Sequence, residues 1–329
     1  MIISRTPFRI SFLGGGTDFP GFFNEHGGCT LSTSINQYCY ILLHPTNPCL
    51  GYTYKASYAE MEQVQELAQL RHPLIRETLR HLTVSDGLEI DHVADLPGRT
   101  GLGSSSSFTV GLLLALHRMR SQPASREQLA QEAIHIERTL VGDPGGHQDQ
   151  YAAAFGGLNR IDYAADSIAV TPLALAPDRR RELASHMLMF YMGRARSSAP
   201  ILKDQQKRLD TNVPGLLRMK ALVNDAQQTL VSGRDMREMG ELLHAAWQIK
   251  KTFTSKISNT RIDEAYAAAR RTGAWGGKLL GAGGGGFLML LAPPDAHAKI
   301  ETELADLDPI QIGLDETGAT ILYADNATT

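Results

Sequence analysis

Several short stretches carry residue types that could do chemistry together. In LPGRTGLGSSSSFTVGLLLAL, residues 96–116, a Gly-x-Gly turn feeds four serines and then an apolar helix. The first turn of such a helix presents backbone N–H groups without intrahelical partners, and their partial positive charge makes an anion site suited to phosphate. Gly101 and Gly103, on either side of Leu102, let the backbone approach that anion. Ser104, Ser105, Ser106 and Ser107 add hydroxyl donors, or an oxygen ligand for Mg²⁺. No GxxxxGK[ST] occurs, so this is not a Walker A loop. The second glycine cluster, GAGGGG at 281–286, contains the letters of GxGxxG but is followed by FLMLLAPP, a strand ended by prolines. A dinucleotide fingerprint needs a helix there. The reading is a glycine hairpin that passes close to a phosphate or to the first glycine loop.

Two carboxylates complete the requirements of phosphoryl transfer. Glu137 lies three and four residues after Ile134 and Ala133, on the flank of an apolar helical stripe, so it is partly buried and needs a partner. Twelve residues on, GDPGGHQDQ puts Asp149 just past a Pro-Gly-Gly turn. One Mg²⁺ ligand and one base beside a phosphate loop are what transfer to a hydroxyl asks for. In PFRISFLGGGTDFP, residues 7–20, Arg9 alternates with apolar neighbours and points inward, where a guanidinium needs a counter-charge. Thr17 and Asp18 follow three glycines, a hydroxyl–carboxylate pair suited to sugar hydroxyls. A phosphorylated acceptor needs a further basic cluster. Arg194, Arg196 and Ser197 of GRARSS, between a strand and a helix, could grip a phosphate, and Lys250 and Lys251 are further candidates.

The elements around these residues read as α+β. Residues 1–60 read as strands and turns, and 59–82 as a helix interrupted by Pro73. Residues 104–119 form a helix buried on most sides. Ser125 with Gln128 starts the next, whose stripe of Leu129, Ala133, Ile136 and Leu140 ends at Gly142 with Pro144 beyond. After strands past Gly157, a loop-like PLALAPDRRR at 172–181 suggests a boundary, dividing the chain into 1–175 and 176–329. The second unit runs from the strand HMLMFYMG through helices near 199–210, 214–232, 235–252 and 260–272 to the glycine hairpin and a last α/β stretch.

The 329 residues include 32 Lys and Arg against 35 Asp and Glu, a net charge of -3, which disfavours a nucleic-acid or polybasic membrane partner. Cys29, Cys39 and Cys49 match no zinc pattern and read as thiols in a reducing compartment. No apolar run approaches the ~20 residues of a membrane span. Arg5, Pro7 and Arg9 interrupt the apolar N-terminal stretch, so the expectation is a cytoplasmic protein.

PFRISFLGGGTD, PGRTGLGSSSS, GDPGGHQDQ and KLLGAGGGG, in this order and at these spacings, resemble the GHMP small-molecule kinases. The GGGTD form, in place of the galactokinase-type GEHTD, looks most like the D-glycero-D-manno-heptose 7-phosphate kinases within that family. The resemblance implies a two-domain fold with a left-handed βαβ unit in the N-terminal, ribosomal-S5-like half, and a ferredoxin-like C-terminal half. ATP and a sugar phosphate would lie between them, and a homodimer is an open alternative to a monomer. By resemblance, Gly101 through Ser107 hold the triphosphate and Ser105 with Glu137 ligates Mg²⁺, although spacing alone does not choose among the four serines. Asp149 accepts the proton of the anomeric hydroxyl, Arg9 steadies Asp149 and the developing charge, and Thr17 and Asp18 hold the sugar. Gly146, Gly283 and Gly284 lie against the acceptor. Within the same family an unphosphorylated sugar, as in a fucokinase-like enzyme, is an alternative acceptor, and a catalytically inactive sugar and ATP sensor is the alternative from another class.

Overall fold

The computed structural model describes residues 1–193 and 198–325. Two long strands organise the first half. β1 (Ile2–Leu13) is followed by α1 (Pro20–His26) and β2 (Gly28–Pro45), and β1 and β2 pair antiparallel along most of their length. The turn expected at α1 is a short helix instead, opened by Pro20, whose fixed φ suits a first helical turn. β3 (Tyr54–Ser57) and β4 (Met61–Val64) form a hairpin, followed by α2 (Pro73–His81) and β5 (Leu88–Ala94).

The single helix expected over 59–82 is therefore a strand, a 3₁₀ turn at Leu67–Gln69 and a helix that begins at Pro73. Buried Glu62 explains the difference. Its carboxylate accepts from the Tyr58 hydroxyl at 2.7 Å and from the amides of Arg71 and His72 at 2.7 and 3.2 Å, bonds that need the chain to fold back.

Next come α3 (Ser104–Met119), α4 (Arg126–Ile134) and, after a π-helical turn over His135–Leu140, α5 (Gln148–Phe155). α3 is buried on nearly every side, as its composition requires, and packs on β1 and β2. β6 (Leu158–Tyr163) and β7 (Ile168–Pro172) extend the sheet from the inner half of β2.

The stretch expected as a loop at 172–181 enters α6 (Pro177–Ser185), again with proline in the first turn. β8 (Met187–Tyr191), α7 (Ala199–Lys207), α8 (Leu209–Val231), α9 (Met236–Thr252) and α10 (Thr260–Thr272) follow close to the expected limits, although α8 starts five residues earlier and carries Pro214 inside it. β9 (Gly276–Leu279) and β10 (Phe287–Leu291) flank the glycine hairpin. After α11 (His297–Glu303), β11 (Asp308–Pro309) completes an antiparallel sheet of order β11-β8-β10-β9.

The last strands do not stay with this second sheet. β12 (Leu314–Asp315) pairs with β2, and β13 (Thr320–Ala324) pairs with β1. A cut at 175 and 176 therefore misses that the end of the chain closes the first sheet. Apolar side chains of both units form one continuous core.

Candidate active site

The first strand supplies the cation. Arg9 is almost wholly buried, and its Nε and Nη2 donate to Oδ1 and Oδ2 of Asp149, each at 2.8 Å. Nη1 donates to the Gly101 carbonyl at 2.7 Å, and the Arg9 amide donates to the Leu102 carbonyl at 3.1 Å. One side chain thus fixes both the carboxylate and the glycine loop, with the two-pronged geometry that only a guanidinium provides. Asp149 sits in the first turn of α5, where the helix N-terminus favours its charge. A Cβ on Gly103 would stand 3.5 Å from Asp149 Oδ2, so the carboxylate borders the mouth of α3.

At that mouth the helix geometry leaves the amides of Ser104, Ser105 and Ser106 without intrahelical acceptors, whereas Ser107 N already donates to Gly103 O. The side chains divide further. Ser104 Oγ accepts from Arg99 N at 3.2 Å, and Ser107 Oγ donates to Pro7 O at 2.9 Å inside the core, which removes Ser107 from the phosphate contacts. Leu102 is a core residue and offers only its carbonyl, which Arg9 takes.

The hydroxyl that meets Glu137 belongs to Ser106, at 3.0 Å from Oε2, and not to Ser105. Gln150 Nε2 donates to the same oxygen at 2.9 Å. The π-helical turn carries Glu137 fully inside, and burial pushes its carboxyl up to about 7 despite Arg138 and Ser106. Its Oε1 is buried with no hydrogen-bond partner. An orphaned carboxylate oxygen beside a serine hydroxyl fits a hard cation. Among the described residues no three His, Cys, Asp or Glu side chains converge on a metal, so such a cation would take its other ligands from phosphate and water.

Asp18 is buried and held by amides, Gly16 N at 2.9 Å and Gln148 N at 3.3 Å. Burial and then the nearby Asp149 charge raise its carboxyl above the ordinary value. Gly146 makes room for it, since a Cβ there would lie 1.8 Å from Asp18 Oδ2. Arg138 fixes this loop from behind through Gly146 O at 3.1 Å.

Thr17 does not face a sugar. Its fully buried hydroxyl lies 2.8 Å from the carbonyl oxygens of both Gly14 and Cys29, which share its single proton, and accepts from Cys29 N. It shapes the turn that presents Asp18.

The two glycine clusters touch. A Cβ on Gly101 would lie 2.4 Å from Leu280 O, and one on Gly281 would lie 2.3 Å from the Gly101 Cα. Both positions also have positive φ, so no other residue fits. The expected approach of the hairpin to the first loop is therefore present, but through Gly281. Gly283 packs on Ile257, whose carbonyl takes the Gly284 amide at 2.9 Å, and Gly284 faces Ile201 and the Lys256 carbonyl.

Lys250 and Lys251 part company. Lys251 pairs with Asp263 at 3.2 Å, whereas Lys250 is buried and donates to Gly281 O. Sequence reasoning missed Lys278, buried on the carbonyls of Ser11 and Phe12, and His147, whose buried Nδ1 has no partner. Neither has a spacing signal, because each is brought in by a different element. Arg194, Arg196 and Ser197 lie outside the described residues.

A glycine-serine helix mouth bordered by an arginine-held aspartate, closed by a second glycine loop, defines a small-molecule kinase. The family models agree. GHMP kinases N terminal domain matches residues 69–157 and GHMP kinases C terminal matches residues 219–307, together more than half of the chain. The chain belongs to the GHMP kinases, phosphotransferases that use ATP to phosphorylate an alcohol group, and has their two-domain fold.

Among named relatives it is similar to the D-glycero-alpha-D-manno-heptose 7-phosphate kinase of Campylobacter jejuni, 28% identical over 305 residues, 89% of this chain and 90% of that one. The crystal structure of a D-glycero-D-manno-heptose 1-phosphate kinase from Bacteroides thetaiotaomicron superposes with a TM-score of 0.80 at 25% identity, covering 98% of this chain and 99% of that one. The bifunctional fucokinase/GDP-fucose pyrophosphorylase of Arabidopsis thaliana is 24% identical over 89% of this chain but only 30% of its own length. No described helix is long and apolar enough to cross a membrane.

Proposed function

We propose that this kinase transfers the γ-phosphoryl of ATP to the anomeric hydroxyl of D-glycero-D-manno-heptose 7-phosphate, giving the 1,7-bisphosphate for nucleotide-activated heptose and surface polysaccharide. The observation that carries the reading is Asp149, gripped by Arg9 and bordering the mouth of α3. The free amides of Ser104, Ser105 and Ser106 hold phosphate oxygens. Asp149 accepts the proton of the attacking hydroxyl, a step eased by the acidity of an anomeric hydroxyl relative to an ordinary alcohol. Arg9 holds Asp149 in place through both carboxylate oxygens. Asp18, with its backbone-held oxygens, takes a sugar hydroxyl. Mg²⁺ held by Glu137 and Ser106 would neutralise phosphate charge. Positioning and charge neutralisation account for most of the rate in such a transfer.

The heptose acceptor is supported by the relatives' names and by the GGGTD motif. An intact Arg9–Asp149 pair supports an enzyme over an inactive sensor. The test is ADP release with Mg²⁺ across a panel of sugars and sugar phosphates. Turnover concentrated on heptose 7-phosphate supports the reading, and equal turnover of the unphosphorylated heptose counts against this acceptor.

A further inference from the structure

Three cations converge where the two glycine loops meet. Arg9 reaches Gly101 O from β1, and Lys250 reaches Gly281 O from α9, so the two side chains hold adjoining loops whose glycines are in contact. Lys278 reaches from β9 to the carbonyls of Ser11 and Phe12, two and three residues beyond Arg9 in the same strand. Arg9 has Asp149 as its counter-ion. Among the described residues neither lysine has a carboxylate within ion-pair distance, and Asp18 is held by amides. A buried ammonium without a counter-ion is costly, and one carbonyl leaves Lys250 with unused donors. Burial pulls its ammonium down to about 8, with Arg9 adding to the effect and Asp18 and Asp149 opposing it, so the lysine shares the field of both carboxylates.

We infer that Lys250 is a further catalytic residue, an ammonium held by the Gly281 carbonyl to meet the phosphoryl group in transit, with Lys278 as a positioning residue behind it. The inference rests on the kinase reading above and deepens it. As the acceptor oxygen bonds to the γ-phosphorus, the bond to the β–γ bridging oxygen breaks, ADP leaves with that electron pair, and the acceptor proton passes to Asp149. Negative charge develops on the transferring oxygens in such a step, and on this reading they pass the junction of the glycine loops, where Lys250 would stabilise them while still held by Gly281 O.

Wild type, Lys250→Met, Lys250→Gln and Lys250→Arg are compared as full chains. Melting curves check folding, titration with Mg²⁺ and a non-hydrolysable ATP analogue reads nucleotide binding, and ADP release with heptose 7-phosphate reads turnover. Glutamine retains a donor for Gly281 O without the charge, so it separates catalysis from holding the hairpin. The expected result is a kcat lower by ~10²–10³ in both neutral variants, the range found when one such donor is removed. KM and analogue binding stay within a few-fold, and arginine recovers part of kcat. Turnover by Lys250→Gln equal to wild type overturns the inference, as does a loss confined to KM for the sugar phosphate. A wild-type chain that binds the analogue yet releases no ADP with any sugar or sugar phosphate overturns the kinase reading itself.

Discussion

Ser106 donates its hydroxyl to Glu137 Oε2 at 3.0 Å, tying the first turn of α3 to the π-helical turn that follows α4. The serine next to it in sequence, Ser105, makes no such bond. The pair is buried, and Glu137 Oε1 remains without a partner. Ser106→Ala therefore raises the Mg²⁺ concentration for half-maximal turnover by about tenfold, while Ser105→Ala changes it less than threefold, in keeping with the effect of removing one oxygen ligand or its support. A Mg²⁺ titration of ADP release reads both. The reverse order would return the metal to Ser105.

Asp149→Asn preserves the shape of the site but not the basicity. The expected kcat falls by ~10²–10⁴, the usual contribution of a general base. Nucleotide affinity holds, because the amides of α3 do not depend on that charge. Near-wild-type turnover removes Asp149 from the mechanism.

The Gly101–Gly281 contact predicts a steric penalty. Gly281→Ala places a methyl 2.3 Å from the Gly101 Cα at a positive φ. A destabilisation of about 1–3 kcal/mol is expected from strain and overpacking. It would be read as a lower Tm together with weakened nucleotide binding. An alanine variant with unchanged melting and binding contradicts the close approach.

Lys250 couples stability to pH. Its pKa is lowered to about 8 in the fold, against an unfolded value near 10.5. The charged form is thus penalised in the folded state, fully so below pH 8, and the penalty fades as pH rises from about 8 to 10.5 because the unfolded chain then binds more protons. Lys250→Met is expected to be more stable than wild type at pH 7, on the order of 1–3 kcal/mol, with the gap narrowing toward pH 10. Denaturant melts at the two pH values measure it. The catalytic role predicts the opposite dependence for turnover, with wild-type kcat falling above about pH 8 and Lys250→Arg extending the plateau. The charged groups bearing on Lys250 are Arg9 from β1, Asp18 from the loop after it, Asp149 from α5 and Lys278 from β9. A flat difference in stability between pH 7 and 10 would exclude this coupling.

Much of the site was legible in the chain because local chemistry demanded it. A glycine turn before four serines and an apolar helix has few uses, and an inward arginine in a strand requires a counter-charge. Glu137 was visible as a carboxylate on the edge of an apolar stripe. Ser125 and Gly142 marked helix limits through capping and termination alone. The strand over 61–64 was not legible, because the order EMEQVQEL suits a helix until Glu62 finds the amides of Arg71 and His72.

What the amino-acid order determined by itself was the set of polar and charged groups and the elements that carry them: the glycine-serine loop, the aspartate past the Pro-Gly-Gly turn, the inward arginine and the hairpin. Only the tertiary structure decided which of those groups meet. Serine spacing cannot tell Ser105 from Ser106, since one residue of helix rotation, altered again by a π turn, separates a hydroxyl on Glu137 from one beside it. Nor could spacing reveal that Thr17 turns inward, that Gly281 and not Gly283 touches Gly101, or that Lys250 and Lys278 arrive from α9 and β9. Those contacts join residues from distant parts of the chain, and their geometry follows from packing both units on one core.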